Sequence, residues 1–246
     1  MKADHFDQQR LLTLADEDVA LTQLAHRRRT LPEAAAVEAA AEAERELAAA
    51  LVRAETEARD IAREVARLEG DVDVVRQRAA RDQQRIDVGS LPAREVTALQ
   101  HELESLARRQ GDLEDQELEL LERQEAADAA VTGARQGQEK ARAERERAEQ
   151  LRDDALADIA DATTRHEQAR AQVAAGVPAP LLSLYDRIRQ QTGTTGAALL
   201  QARQCQGCRI ELNGRELGAV RAADPNEVVR CENCGRILVR TAESGL

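Results

Sequence analysis

The chain has 246 residues, 42% of them apolar, yet it holds one Phe (Phe6), one Tyr (Tyr185), one Met and no Trp, a composition that cannot fill a broad globular core. A third of its residues are charged and the formal net charge is −11: residues 1–175 carry 26 Lys and Arg against 39 Asp and Glu, whereas residues 176–246 carry nine against seven. An acidic body repels nucleic acid and anionic membranes, and no stretch approaches the ~18 consecutive apolar residues of a membrane span. Met1-Lys-Ala-Asp-His5 runs into a polar helix without the apolar core of a signal peptide, so a cytoplasmic protein with no membrane partner is expected.

A first long helix is predicted over residues 4–88. Thr30-Leu-Pro-Glu33 combines a cap residue, a proline and a glutamate three positions after the cap, which predicts a kink or restart near residue 31. From Leu47 the apolar residues fall at alternating steps of four and three, through Leu51, Ile61, Val65, Leu68, Val72 and Val75 to Ile86, with Asp82 the one polar intruder. A period of 3.5 sustained this long is a coiled-coil seam. In Val88-Gly-Ser-Leu-Pro-Ala-Arg94, Gly89 suits the left-handed residue that ends a helix, Ser90 suits the cap of the next, and Pro92 is tolerated in a first turn. The chain is predicted to reverse there.

A second helix over residues 94–175 repeats every seven residues from Leu99, Leu106, Leu113 and Leu120 into a long alanine series ending at Ala169, with companion positions such as Gln110, Glu117 and Arg145. Two arms of nearly equal length predict an intramolecular antiparallel hairpin whose second seam is the weaker, each arm on the order of 120 Å if unbroken at ~1.5 Å per residue. Pairing about residue 91 sets residues 34–43 against 139–148. His5, His26, His101 and His166 are scattered through the helices at no ligand spacing, and Arg27-Arg28-Arg29 is the one local basic run.

Gly176-Val-Pro-Ala-Pro180 ends the second arm, residues 181–191 read as a short amphipathic helix, and Thr192-Gly-Thr-Thr-Gly196 punctuates the chain. Strands are predicted over residues 197–202, 228–230 and 237–240, with Asn213 capping a short helix that runs to about Ala222. Within this tail lie the only four cysteines, Cys205-Gln-Gly-Cys208 and Cys231-Glu-Asn-Cys234. Two residues between thiolates let a tight turn aim both sulfurs at one metal, and a second pair closes a tetrahedron of zinc. With every position filled by protein the zinc is structural, one per chain. The same four ligands can hold iron, and two disulfides are the remaining alternative, which an intracellular setting disfavours. About 40 residues with almost no core fold only with help from the metal. The resulting fold class is mainly α: a long antiparallel two-helix coiled-coil hairpin (1–175, tip 89–94), a short helix and linker (176–196), and a small C4 zinc ribbon of short β-strands (197–246).

Arg94-Glu95 and Ala98-Leu99 past the tip, Leu113-Glu114-Asp115, Pro180-Leu181 with Tyr185 and Ile188-Arg189, then Cys205-x-Gly207-Cys208 and Val229-Arg-Cys231-x-x-Cys234-Gly235-Arg236-Ile237-Leu238 together resemble a bacterial family of coiled-coil hairpin proteins with a C-terminal C4-type zinc ribbon. The C-terminal string is the specific part. Val239 departs from the aromatic residue common there, and the tip lacks the family's usual Asn and Lys. The resemblance implies a non-enzymatic adaptor, some members being tied to a sigma factor, flagellar or secretion components, or RNA.

Three functions compete on the sequence. The favoured one is a scaffold that binds a protein partner through the ribbon surface around Arg209, Leu212, Arg221 and Arg236, or through the tip at Ser90 to Arg94. The second is RNA or DNA binding, or transcription-associated regulation, by the ribbon. Its seven arginines (Arg203, Arg209, Arg215, Arg221, Arg230, Arg236, Arg240) are offset by acids and accompanied by no aromatic residue on which a base could stack, so such binding is expected to be weak. An enzyme is disfavoured, because no nucleophile set or phosphate loop is visible and a two-helix rod offers no pocket dry enough for a small-molecule substrate. Nothing in the sequence decides the oligomeric state.

Overall fold

The computed structural model describes residues 1–246, which divide into two compact units: Met1–Glu33 with Leu151–Leu246, and Ala34–Gln150. The second unit is an antiparallel helical hairpin made from nearly all of α2 (Pro32–Asp87) and the portion of α3 (Ala93–Ala175) up to Gln150, the remainder of α3 belonging to the first unit. Its register is visible in cross-helix ion pairs that run in opposite chain order: Glu44 with Arg145, Glu55 with Arg135 (3.3 Å), Arg76 with Glu114 (2.8 Å) and Arg78 with Glu102 (2.7 Å). Three of these pairs are centred close to residue 95 and only Arg78 with Glu102, nearest the turn, is centred at 90, so over most of its length α3 is shifted from the expected pairing about residue 91. The 3.5-residue seam packs as predicted, Ile61 and Val65 against Ala127, and Leu68 and Val72 against Leu113. Asp82 sits in it with its carboxylate turned to Arg85 (3.7 Å).

The reversal occurs where expected, with a change of cap. Gly89 is left-handed (φ 68°) and its N–H bonds Ile86 O at 3.1 Å. Pro92, not Ser90, precedes α3 and accepts from the amides of Glu95 and Val96. Ser90 lies two residues too early to reach those donors.

The first unit begins with α1 (His5–Arg29), capped by Asp4, whose side chain accepts from the Phe6 amide. The restart before Pro32 is present, but Thr30 closes α1 instead of opening α2: its N–H and hydroxyl both bond His26 O at 3.0 Å. Leu31, freed from helix geometry, turns inward onto Ala155 and Ile159 of α3. After α3, Val177 and the helix α4 (Ala179–Thr192) bury Leu181, Tyr185 and Ile188 against Leu11, Leu14 and Ala15 of α1. A four-stranded sheet follows, in spatial order β2 (Gln204–Cys205), β1 (Ala197–Gln201), β4 (Ile237–Val239), β3 (Val229–Arg230). β1 and β4 run parallel, and the other pairs are antiparallel.

One face of this sheet completes the helical core, since Ala197, Ile237 and Val239 share a cluster with Leu11, Leu14 and Tyr185. The segment 176–196, read from the sequence as helix and linker, contributes Val177, Leu181, Tyr185 and Ile188 to that core. The chain start is sewn in as well. Ala3 N donates to Asn226 O (2.8 Å), Val228 N donates to Met1 O (3.0 Å), and buried Gln8 donates to Ala3 O and Pro225 O. Arg240 holds that loop in shape by donating to the carbonyls of Val220, Ala223, Asp224, Pro225 and Glu227.

Candidate metal centre

The other face of the sheet carries the cysteines. β1 and β2 join through Ala202 (φ 46°) and Arg203 (φ 65°), two consecutive left-handed residues whose twist matches that of a tight hairpin. The C-terminal 3₁₀ turn (Ala242–Ser244) holds them there, Ala202 N bonding Glu243 O and Arg203 N bonding Ser244 O, both at 2.9 Å. The hairpin presents Cys205 fully buried, and the chain then forms the first knuckle. Cys205 N donates to Ile210 O (3.1 Å), and Arg209 N donates back to Cys205 O (2.7 Å).

The second knuckle repeats this geometry atom for atom. Cys231 N donates to Arg236 O and Gly235 N donates to Cys231 O, each at 2.9 Å. Arg209 (φ 60°) and Gly235 (φ 73°) occupy equivalent left-handed positions, so the first knuckle places an arginine where the second uses the residue suited to that conformation.

The two loops bring Cys205, Cys208, Cys231 and Cys234 together with all four Sγ atoms within 4.8 Å of one another. Cys205 to Cys234 is 3.8 Å and Cys208 to Cys231 is 3.9 Å. A tetrahedron with Zn–S bonds of about 2.3 Å has edges of about 3.8 Å, so these separations fit one zinc, whereas a disulfide needs about 2.05 Å. All four cysteines are free thiols, which removes the disulfide alternative. Four protein ligands complete the coordination sphere and make the zinc structural.

The protonation states fit a site that the metal organises. Burial raises the Cys205 thiol to about 12 against the opposing pull of the Cys208 and Gly207 amides, and raises Cys231 in the same way. At Cys234 burial is outweighed by the backbone N–H and side chain of Arg236, aided by the neighbouring thiols, and the value falls to about 7. A cation at the centre favours the thiolates at the buried pair, and the amides moderate the surplus negative charge. Ala198, Leu200, Leu212, Val220 and Leu238 pack around the cysteines. Asn213 caps α5 (Gly214–Ala222) in a full capping box with Glu216.

The sequence-predicted docking residues divide. Arg209 and Arg221 are exposed on the ribbon, and Ser90 and Arg94 are exposed at the hairpin turn. Leu212 is 4% exposed and belongs to the core beside the metal, so it is not available to a partner. Arg236 is also committed, donating to Thr195 O, Thr195 Oγ1, Thr194 Oγ1 and Gly207 O. Its side chain lies over Gly207 so closely that a Cβ there would meet Arg236 Cδ at 2.6 Å, which accounts for the glycine in Cys205-x-Gly-Cys208. The apolar residue that does face solvent beside the first knuckle is Ile210, 47% exposed. Alternation along the chain could not have chosen between Ile210 and Leu212, because residues two apart fall on the same face; Leu212 is tied inward by its N–H, which bonds Arg203 O at 2.9 Å.

Residues 14–193 match the CT398-like coiled coil hairpin domain, and residues 204–238 match the C4-type zinc ribbon domain. The chain belongs to the CT398-like hairpin family. It is 42% identical over 240 residues, 98% of each chain, to the uncharacterized protein Rv2229c of Mycobacterium tuberculosis. It is 30% identical over 171 residues to ML1638 of Mycobacterium leprae, covering 69% of this chain and 73% of that one. A solved structure from Mycobacterium smegmatis superposes with a TM-score of 0.82 at 36% identity, covering 98% of this chain and all of that one. CT398 of Chlamydia trachomatis shares the fold, with a TM-score of 0.61 at 17% identity over 95% of this chain and 97% of its own.

In this CT398-like protein a second polar cluster lies in the first unit, unread in the sequence. Asp18 is fully buried and accepts from Arg170 Nε (2.7 Å) and Tyr185 OH (2.7 Å), with Arg189 Nε at 3.0 Å, while Arg170 also bonds Asp186 at 2.8 Å. Burial first, and Asp18 second, push the tyrosine hydroxyl far above its ordinary range. An aspartate three residues beyond the apolar pair Leu14-Ala15 was the available signal, but its partners are some 150 residues away in sequence. No helix of the chain is long and apolar enough to cross a membrane.

Proposed function

We propose that this protein is a non-enzymatic adaptor that binds a protein partner, with the zinc serving to hold a docking surface rigid. The observation that carries the reading is Ile210, an exposed apolar side chain held beside the metal knuckle and flanked by exposed Arg209. The cores of protein interfaces are more apolar than the rest of the surface and are enriched in arginine. The hairpin turn, with Val88 70% exposed next to Ser90, is the second candidate surface. The most deeply buried titratable pair, Asp18 and Tyr185, is hydrogen-bonded within the cluster and closed to solvent, which suits a structural role better than acid–base chemistry.

Nucleic-acid binding by the ribbon is the second reading. It rests on exposed Arg209, Arg215 and Arg221, because Arg236 and Arg240 spend their guanidinium groups on backbone carbonyls. The deciding experiment is affinity capture with zinc-loaded full-length protein, run in parallel with Ile210→Asp, Arg209→Glu and Val88→Asp. The adaptor reading expects a protein partner lost with at least one of these. Capture of nucleic acid alone, in a salt-resistant form, would promote the second reading.

A further inference from the structure

Within the first unit a groove of about 950 Å³ runs between the C-terminal half of α1 and residues 156–163 of α3, and reaches Arg189 of α4. Its floor is the half-buried Leu21, Leu24 and Leu156, with Ile159 buried beneath them. Two threonines line it, but the Thr22 hydroxyl bonds Asp18 O (2.8 Å) and the Thr163 hydroxyl bonds Ile159 O (2.7 Å). Their polar atoms are spent on their own helices, which leaves the walls largely apolar.

The charge of the lining is one-sided. Its eleven residues include three arginines and no carboxylate, in a chain with 46 acidic residues against 35 basic ones. Arg28 and Arg29 are exposed and stand in no ion pair, whereas Arg189 keeps one nitrogen on Asp18. Basic residues in a last helical turn complement the helix dipole, but that alone requires neither three arginines nor an apolar floor between them. From Leu21 to Arg29 the groove wall extends about 12 Å, the length of roughly two helical turns.

We propose that this groove docks an acidic amphipathic helix of a partner protein. The helix lays apolar residues at i, i+3, i+4 and i+7 on the leucine floor, and its flanking carboxylates meet Arg28, Arg29 and Arg189. A nucleic-acid strand would set its phosphates against the arginines but leave its bases over a floor with no aromatic side chain. The proposal rests on the adaptor reading and deepens it by naming the chemistry of the partner.

The test is a display library of 16-residue helices with Leu, Ile or Val at the four anchor positions and all other positions free. It is selected on zinc-loaded full-length protein and compared with Leu24→Asp and the double variant Arg28→Glu/Arg29→Glu, both first checked for parental helix content. Enriched peptides are expected to carry Asp and Glu beside the apolar face, and a labelled representative is expected to bind the parent about 30-fold more tightly than either variant. No enrichment, enrichment of basic peptides, equal binding to the variants, or occupation of the groove by a second copy that peptide does not displace would overturn the proposal. If the library fails while Ile210→Asp or Val88→Asp abolishes protein capture, the groove assignment falls and the adaptor reading stands. If capture yields no protein with the parent, the adaptor reading falls with it.

Discussion

Replacing Tyr185 by Phe removes one oxygen from the sealed Asp18 cluster and leaves the ring in place. The lost contact is a 2.7 Å hydrogen bond from a fully buried phenol to a fully buried carboxylate. Bonds to charged acceptors contribute about 1.5–3 kcal/mol, and Asp18 keeps Arg170 and Arg189, so the loss should lie near the lower end. Asp18→Ala is the harsher change, because it strands the tyrosine hydroxyl and the Arg189 guanidinium and leaves Arg170 with Asp186 alone, and should cost about 3–5 kcal/mol. The double variant should be less destabilised than the sum of the two, since Tyr185→Phe has little left to remove once Asp18 is gone. Urea unfolding of zinc-loaded protein, followed by far-UV circular dichroism, measures all three. Alkaline pH supplies an independent readout. The folded-state tyrosine pKa is raised above its ordinary 10.0, so its contribution is fully present below about pH 10 and is lost as the pH rises and the phenol ionises in the unfolded chain alone. Parental stability should therefore decline above pH 10, and that of Tyr185→Phe should decline less. A Tyr185→Phe protein within about 0.5 kcal/mol of the parent and with the same alkaline decline would refute the reasoning.

Cys208→Ser should abolish stoichiometric zinc binding and disorder the ribbon while most helical signal persists, as read by elemental analysis and circular dichroism. Arg209→Gly should be neutral or stabilising by up to about 1 kcal/mol and Gly235→Ala destabilising by about 1 kcal/mol or more, because the two residues hold equivalent left-handed positions; equal effects in urea unfolding would contradict that equivalence. Leu14→Ala, in the core shared with Ile237 and Val239, should cost about 2–5 kcal/mol and also accelerate zinc release to a chelator, although Leu14 is remote in sequence from every cysteine; unchanged release would show that the ribbon is insulated from α1.

Local and periodic features were legible in the residues themselves. The hairpin seam follows from a 3.5-residue repeat, because each position needs only its neighbours one turn away to establish which face is apolar. The metal ligands follow from two CxxC spacings, and the Asn213 cap from a side chain that bonds amides two and three residues on. Gly89 and Gly235 declare their turns because few other residues tolerate a positive φ.

Tertiary structure decided what depends on partners distant in the chain. That Leu212 is core and Ile210 surface was settled by the bond from Leu212 N to Arg203 O and by packing against Val220 and Leu238, none of which spacing along the segment records. That Arg236 is a clamp over Gly207 and Arg240 a loop-holder was settled by carbonyls up to 41 and 20 residues away, and a count of charges sees neither. The buried position of Asp18 required Tyr185, Arg170 and Arg189 to arrive from other helices. The sequence alone thus determined the helical hairpin, the zinc ligands and their chemistry, since these depend on spacing. Only the folded chain determined that the ribbon's sheet closes the core of the N-terminal helix, because a face is buried by whatever elements meet it, and spacing along one segment carries no record of them.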